Sequence, residues 1–226
     1  MRWITVCALM ALASFASRGE AAPRELAFEV WREGSPIGRH SLAFQTEGDR
    51  LQVDIAIDLA VGLGPITLYR YRHRSQEAWQ GGKLVALSTE TNDDGAKFAV
   101  RAKALPEGLL VGNQILPANL IPTSYWHVAA MTRSQLLDSQ DGSVRLVSVA
   151  KIGRETADIA GAAQPVDRYR ISGDLEMELL YLPNGEWAGL EFMAKGSKIT
   201  YRRSTPADTA VLPDGFVPGQ TVGSSP

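Results

Sequence analysis

The chain has 226 residues, with 23 Lys and Arg against 25 Asp and Glu. So even a balance lacks the concentrated basic surface of a general nucleic-acid binder. Its single cysteine, Cys7, lies in the first apolar run, which leaves the rest of the chain without disulfides, thiolate metal ligands or a cysteine nucleophile. A hydrophobic core must therefore hold it together, and roughly 200 residues suffice for one β-rich domain or two small ones.

At the start, Arg2 precedes the apolar run from Ile4 to Phe15, and the small residues Gly19, Ala21 and Ala22 follow. The run is too short to span a bilayer, so residues 1–21 read as a cleaved export signal and the mature protein is expected in the periplasm. No other stretch approaches the roughly 18 apolar residues of a spanning helix, so the mature chain is expected to have no transmembrane segment.

Period-two alternation then dominates. "LAFEVWREGSPIGRHSLAF" reads as two strands joined at Gly34-Ser35-Pro36. In "LQVDIAIDLAV", Leu51, Val53, Ile55, Ile57, Leu59 and Val61 share one face, with Gln52, Asp54 and Asp58 on the other, as a half-buried strand requires. "ITLYRYRHRSQEAW" follows the breaker "GLGP". "KLVALSTET" and "AKFAVRAKAL" flank Asp94-Gly95, a strong tight-hairpin signal because glycine supplies positive φ without strain. "SVRLVSVAKI", "PVDRYRISG", "LEMELLYL", "EWAGLEFM" and "SKITYRR" complete ten or so strands. Alternation stops between Pro122 and Leu137, where a helix of two or three turns is expected. Residues 205–226 are rich in Pro, Gly and small polar side chains and are expected to form a loosely held tail. The predicted fold is mainly β: a curved antiparallel sheet or incomplete β-barrel with one short helical insertion, formed by residues 22–204.

Two constellations carry chemistry. "PTSYWH", residues 122–127, sets Ser124 near His127. Thr123 or Ser124 is a natural helix N-cap, and no nucleophile-elbow glycines surround Ser124, so a helix start is preferred to a nucleophile and its base. On "TLYRYRHRSQEAW", alternation places Tyr69, Tyr71, His73, Ser75, Glu77 and Trp79 on one face and Arg70, Arg72 and Arg74 on the other. An aromatic face with a few polar tips is how many ligand cavities are lined. The ordinary reading is an amphipathic strand with cross-strand hydrogen bonds. His73 beside Glu77 would permit acid–base work, yet the two lie about 14 Å apart along the strand and do not touch directly. The arginine row either grips phosphate or carboxylate groups of a ligand or membrane, or pairs with acids on adjacent strands. "TNDDG" lacks the ligand pattern of a calcium loop, and His40, His73 and His127 share no zinc spacing. No cofactor is read from the chain.

Tyr71, Ser75, Glu77 and Trp79 leading to Gly82 and Leu84, then "TNDDG", "PTSYW", "RYRISGDL", Tyr181 and Trp187, give the segment from about residue 26 to 203 an ordered pattern. It resembles an uncharacterised family of exported bacterial proteins, a domain of unknown function that implies no catalytic residues. In architecture it is similar to the curved half-barrels of periplasmic lipoprotein and lipid carriers, where a sheet wraps an apolar groove beneath a helix. The expected function is non-catalytic binding of a lipid or lipid-linked molecule. Tyr69, Tyr71 and Trp79 would line the groove, His73, Ser75 and Glu77 would orient the polar end, and Trp126 would sit on a helical lid. The alternatives are an envelope hydrolase using a histidine–carboxylate pair, with Glu77 or Asp174 orienting His73 or His127, and an interaction module docking an unknown protein by a sheet edge or the tail.

Overall fold

A computed structural model of the chain describes residues 24–63 and 66–207; the expected export signal and the tail beyond residue 207 lie outside them. The fifteen strands are β1 (Arg24–Arg32), β2 (Ser35–Glu47), β3 (Arg50–Leu63), β4 (Ile66–Gln80), β5 (Lys83–Asp93), β6 (Ala96–Leu105), β7 (Gly108–Val111), β8 (Gln114–Leu116), β9 (Ile121–Pro122), β10 (Gln135–Leu137), β11 (Val144–Ile159), β12 (Ala162–Gly173), β13 (Met177–Tyr181), β14 (Trp187–Ala194) and β15 (Ser197–Arg203). They form one sheet in the order β8-β7-β6-β5-β4-β3-β2-β1-β15-β14-β13-β12-β11-β10-β9. All neighbours are antiparallel except β9 and β10.

Strands β1 to β8 and β10 to β15 each form a meander, and β1 joins the halves by pairing with β15, Phe28 opposite Arg203. The chain's first and last strands thus meet at the centre, and its middle supplies both edges, β8 and β9. Among the described residues no ladder joins those edges, so the sheet is unclosed. It nevertheless curls until its halves touch. Tyr71 on β4 donates to Gln140 in the β10–β11 turn, and a Cβ built on Gly142 of that turn would meet Val111 and Val100 at 3.2 and 3.3 Å. The result is a barrel-like shell with its core inside.

The Asp94-Gly95 hairpin signal acts as expected, whereas the first turn falls earlier than Gly34-Ser35-Pro36. Asp94 and Gly95, with φ of 51° and 99°, form the tight turn between β5 and β6. Between β1 and β2 the turn falls on Glu33 and Gly34, at φ of 47° and 80°, and Pro36 sits inside β2 opposite Trp31 at a bulge, where a missing N–H is tolerated.

The helical insertion is shorter than the sequence predicts, a five-residue 3-10 turn at Val128–Thr132. Two features keep the flanks extended. Thr123 N–H donates to Leu137 O at 2.9 Å, continuing the β9–β10 pairing, and Tyr125 holds a left-handed φ of 61°, which a right-handed helix does not admit. The cap is His127, whose Nδ1 accepts from Ala129 N–H at 3.3 Å, in place of Thr123 or Ser124. Thr123 Oγ1 instead accepts from Ser139 N–H.

Candidate functional site

The interior face of β4 is graded along its length. Tyr69 and Tyr71 are half-buried, while His73, Ser75, Glu77 and Trp79 are buried. On the adjacent β3, Leu51, Val53 and Ile55 are buried, and Ile57, Leu59 and Val61 only partly so. Both strands therefore run from a packed end of the barrel to a looser one. The looser end also carries the β1–β2, β5–β6 and β14–β15 turns.

At the packed end, one carboxyl group ties β4 to the segment between β9 and β10. Glu77 Oε2 accepts the indole N–H groups of Trp79 and Trp126, each at 2.9 Å. The indoles meet edge to face, centroids 5.3 Å apart at 82°, and Phe44 meets Trp126 at 5.4 Å and 76°, geometries that suit the aromatic quadrupole. Trp126 is 1% exposed. It is a wedge in the core, not a lid over a mouth. Burial pushes the Glu77 carboxyl up from its usual range, opposed by the Ser124 hydroxyl and the indole donors.

Midway along the barrel, His40, Ile57, His73 and Thr91 lie opposite one another on β2 to β5. His73 Nδ1 and Thr91 Oγ1 are 2.7 Å apart, and the Tyr71 ring stacks on His73 at 6.4 Å and 15°. His40 is ringed by Phe28, Trp187 and Tyr201 at 5.3 to 6.2 Å. Burial lowers the pKa of His40 to about 3, and those of His73 and His127 to about 4, so all three are neutral near pH 7.

This wall also holds unpartnered polar atoms. Ser75 Oγ, Thr89 Oγ1 and both ring nitrogens of His40 are buried without a hydrogen bond. Ser75 faces Thr89 across β4 and β5. Each such group costs about 1–3 kcal/mol unless water or a ligand satisfies it.

At the looser end, Tyr69 donates to Asp93 at 2.7 Å, and Lys195 of the β14–β15 turn stands 4.9 Å from the Tyr69 ring centre. Of the residues singled out from sequence, the fold thus unites Glu77 with Trp79 and Trp126, and Tyr71 with His73. His73 and Glu77 form no hydrogen bond with each other, and Asp174 is engaged with the Leu146 N–H. His40, Thr89 and Thr91 were missed as members of the site. Their parity was legible, because His40 alternates with Leu42 and Phe44, and both threonines alternate with Leu87.

This arrangement sits inside a recognisable domain. The chain belongs to a family described as a domain of unknown function (DUF6134), which matches residues 28–204. Among solved structures it is similar to a β-barrel-like protein of a domain of unknown function, DUF1849, from Brucella abortus. The TM-score is 0.58 at 9% identity, covering 80% of this chain and 95% of that one. At that identity the likeness is one of fold alone. No curated protein matches the sequence. Among the described residues no helix is long and apolar enough to cross a membrane.

Proposed function

We propose that the protein is an exported envelope protein that holds an amphiphilic, lipid-like ligand inside its barrel without acting on it chemically. The observation that carries this reading is the pairing, on one interior wall, of a loosely covered aromatic end with a deeper band of unpartnered polar atoms. Tyr69, Tyr71, Leu59 and Val61 offer partly open apolar surface. Beyond them Ser75, Thr89 and His40 offer hydrogen-bonding atoms that the protein itself leaves unused. An amphiphile entering apolar end last would meet both needs, its polar group reaching the hydroxyl band and its chain resting on the aromatics. Burial of that chain would contribute roughly 0.8 kcal/mol per methylene. The neutral histidines fit an uncharged interior, since a fixed charge there would oppose an apolar chain. Export rests on residues 1–21, with their basic start, apolar run and small-residue end.

Native mass spectrometry of the protein from a periplasmic extract tests this reading, with a delipidated sample as control. The expected result is a bound mass that delipidation removes and that Tyr71→Ala and Ser75→Val each weaken. An apo mass that stays apo after incubation with fatty acids and phospholipids would overturn it. Recovery of the protein solely from the cytoplasm would overturn the export component.

A further inference from the structure

We infer that the exposed end of the β3–β4 ribbon docks on an anionic lipid bilayer, with Ile66 and Leu68 entering the membrane and Arg70 and Arg72 holding its phosphates. This surface lies outside the ligand-facing wall and does not depend on a ligand being bound there.

Strand parity sends Arg70, Arg72 and Arg74 outward as one stripe. A bulge between the Val61–Tyr69 and Gly62–Thr67 pairs then breaks the alternation, and Ile66 and Leu68 stand exposed toward the end of the ribbon. The described end of the β3–β4 ribbon extends past its neighbours. The β2–β3 ladder ends at Leu59 and the β4–β5 ladder at Tyr71. Beyond those points β3 and β4 pair only with each other. Ile66 and Leu68 are each 61% exposed there, and large aliphatics on a projecting two-stranded ribbon commonly mark a contact surface. Met193, 64% exposed, and Lys195 lie at the same end of the barrel.

The charge behind Ile66 and Leu68 selects the occupant. Asp58 is shared, 3.6 Å from Arg72 and 2.7 Å from Arg74. Arg74 also donates to the carbonyls of Ile57 and His73 and so is committed to the sheet. Asp94 accepts the backbone N–H of Arg70, but the Arg70 guanidinium has no ion-pair partner among the described residues. The Arg72–Asp58 pair is more than half exposed and is readily exchanged for a lipid phosphate. Along the ribbon, Ile66 lies about 10 Å beyond Arg70, the three-residue advance from Ala60 to Leu63 on the paired strand, with Leu68 between them. That spacing lets apolar side chains reach the acyl boundary while guanidinium groups remain among the phosphates. A bilayer presents those two layers in that order.

The test is co-flotation of the chain, as recovered from cells, with phosphatidylcholine vesicles with and without phosphatidylglycerol. The wild type should float with the anionic vesicles, and the Ile66→Asp/Leu68→Asp double variant should lose about tenfold or more of its binding. Arg70→Glu/Arg72→Glu should lose the preference for phosphatidylglycerol by a similar factor. Circular dichroism checks that each variant is folded, and the shared N-terminus removes any contribution of the leader to the differences. Failure of the wild type to float, or equal flotation of the Ile66→Asp/Leu68→Asp variant, would overturn the inference. Retention of a bound lipid mass by that variant separates docking from ligand carriage.

Discussion

The two ends of β4 obey the same strand geometry yet are built for different tasks. Toward Trp79, interior positions interlock with Phe44 and Trp126 around the Glu77 carboxyl. Toward Tyr69, the same face meets the opposite wall through Tyr71 and Gln140, and through Lys195 over the Tyr69 ring. One end is fastened by buried bonds between distant segments; the other is held by contacts that water reaches. Stability should therefore concentrate at the packed end and adaptability at the looser one.

The sharpest way to break this contrast is to remove the wedge. Trp126→Ala empties a large buried site and frees the Glu77 carboxyl, and should cost about 3–5 kcal/mol. Glu77→Ala should cost about as much, because it strands two indole N–H groups in the core. Glu77→Gln should cost much less, since an amide oxygen can still accept both indoles and an amide, like the protonated acid, carries no charge. Urea denaturation of the three variants measures this. Equal losses for Glu77→Ala and Glu77→Gln would mean that the carboxyl group does more than accept those bonds.

That wedge shows where sequence reasoning stops. The parity of β3 and β4 was legible because an alternation of Leu, Val and Ile with Gln and Asp, sustained from Leu51 to Val61, has no competing explanation. The same rule placed Tyr69, Tyr71, His73, Ser75, Glu77 and Trp79 on one face and the arginines on the other. Parity says nothing of what stands across the barrel. The Trp126–Glu77 bond spans 49 positions and exists only because the sheet curls. The same holds for His40, which joins His73 through the pairing registers of β2, β3 and β4. Between Pro122 and Leu137, absence of alternation reads as helix, yet strands of two and three residues are too short to show a period. The four residues of β7 and three of β8 escape notice for the same reason.

Acid should sharpen the contrast from another direction. His40, His73 and His127 have folded-state pKa values lowered to about 3, 4 and 4. Below pH 6.5 the unfolded chain takes up protons that the folded interior refuses, so stability falls as pH drops. The loss is at most about 1.4 kcal/mol per histidine for each pH unit, until the folded values are reached. Glu77 has the opposite sign. Its raised pKa lets the folded state keep a proton that the unfolded chain releases above pH 4.5, so its contribution weakens as pH rises toward the folded value. His40→Leu should flatten the acid limb. It should also raise stability at pH 7 by about 1 kcal/mol, because both ring nitrogens are buried without partners. A pH series of denaturation midpoints reads both effects. Destabilisation by His40→Leu at pH 7 would indicate that water or a bound molecule satisfies those nitrogens.

The smallest effect belongs to the looser end. Tyr71→Phe keeps the ring that stacks on His73 and removes only the hydroxyl that donates to Gln140 at 3.1 Å. A single partly exposed hydrogen bond of this kind contributes about 0.5–1.5 kcal/mol. Its position matters more than its strength, because it ties β4 directly to the β10–β11 turn across the barrel. Hydrogen exchange should therefore accelerate in residues 138–143 of the variant, with little change around Trp79 and Trp126. If exchange instead rises equally at both ends, the barrel opens as one cooperative unit. The graded burial along β4 would then describe packing without a separately mobile mouth.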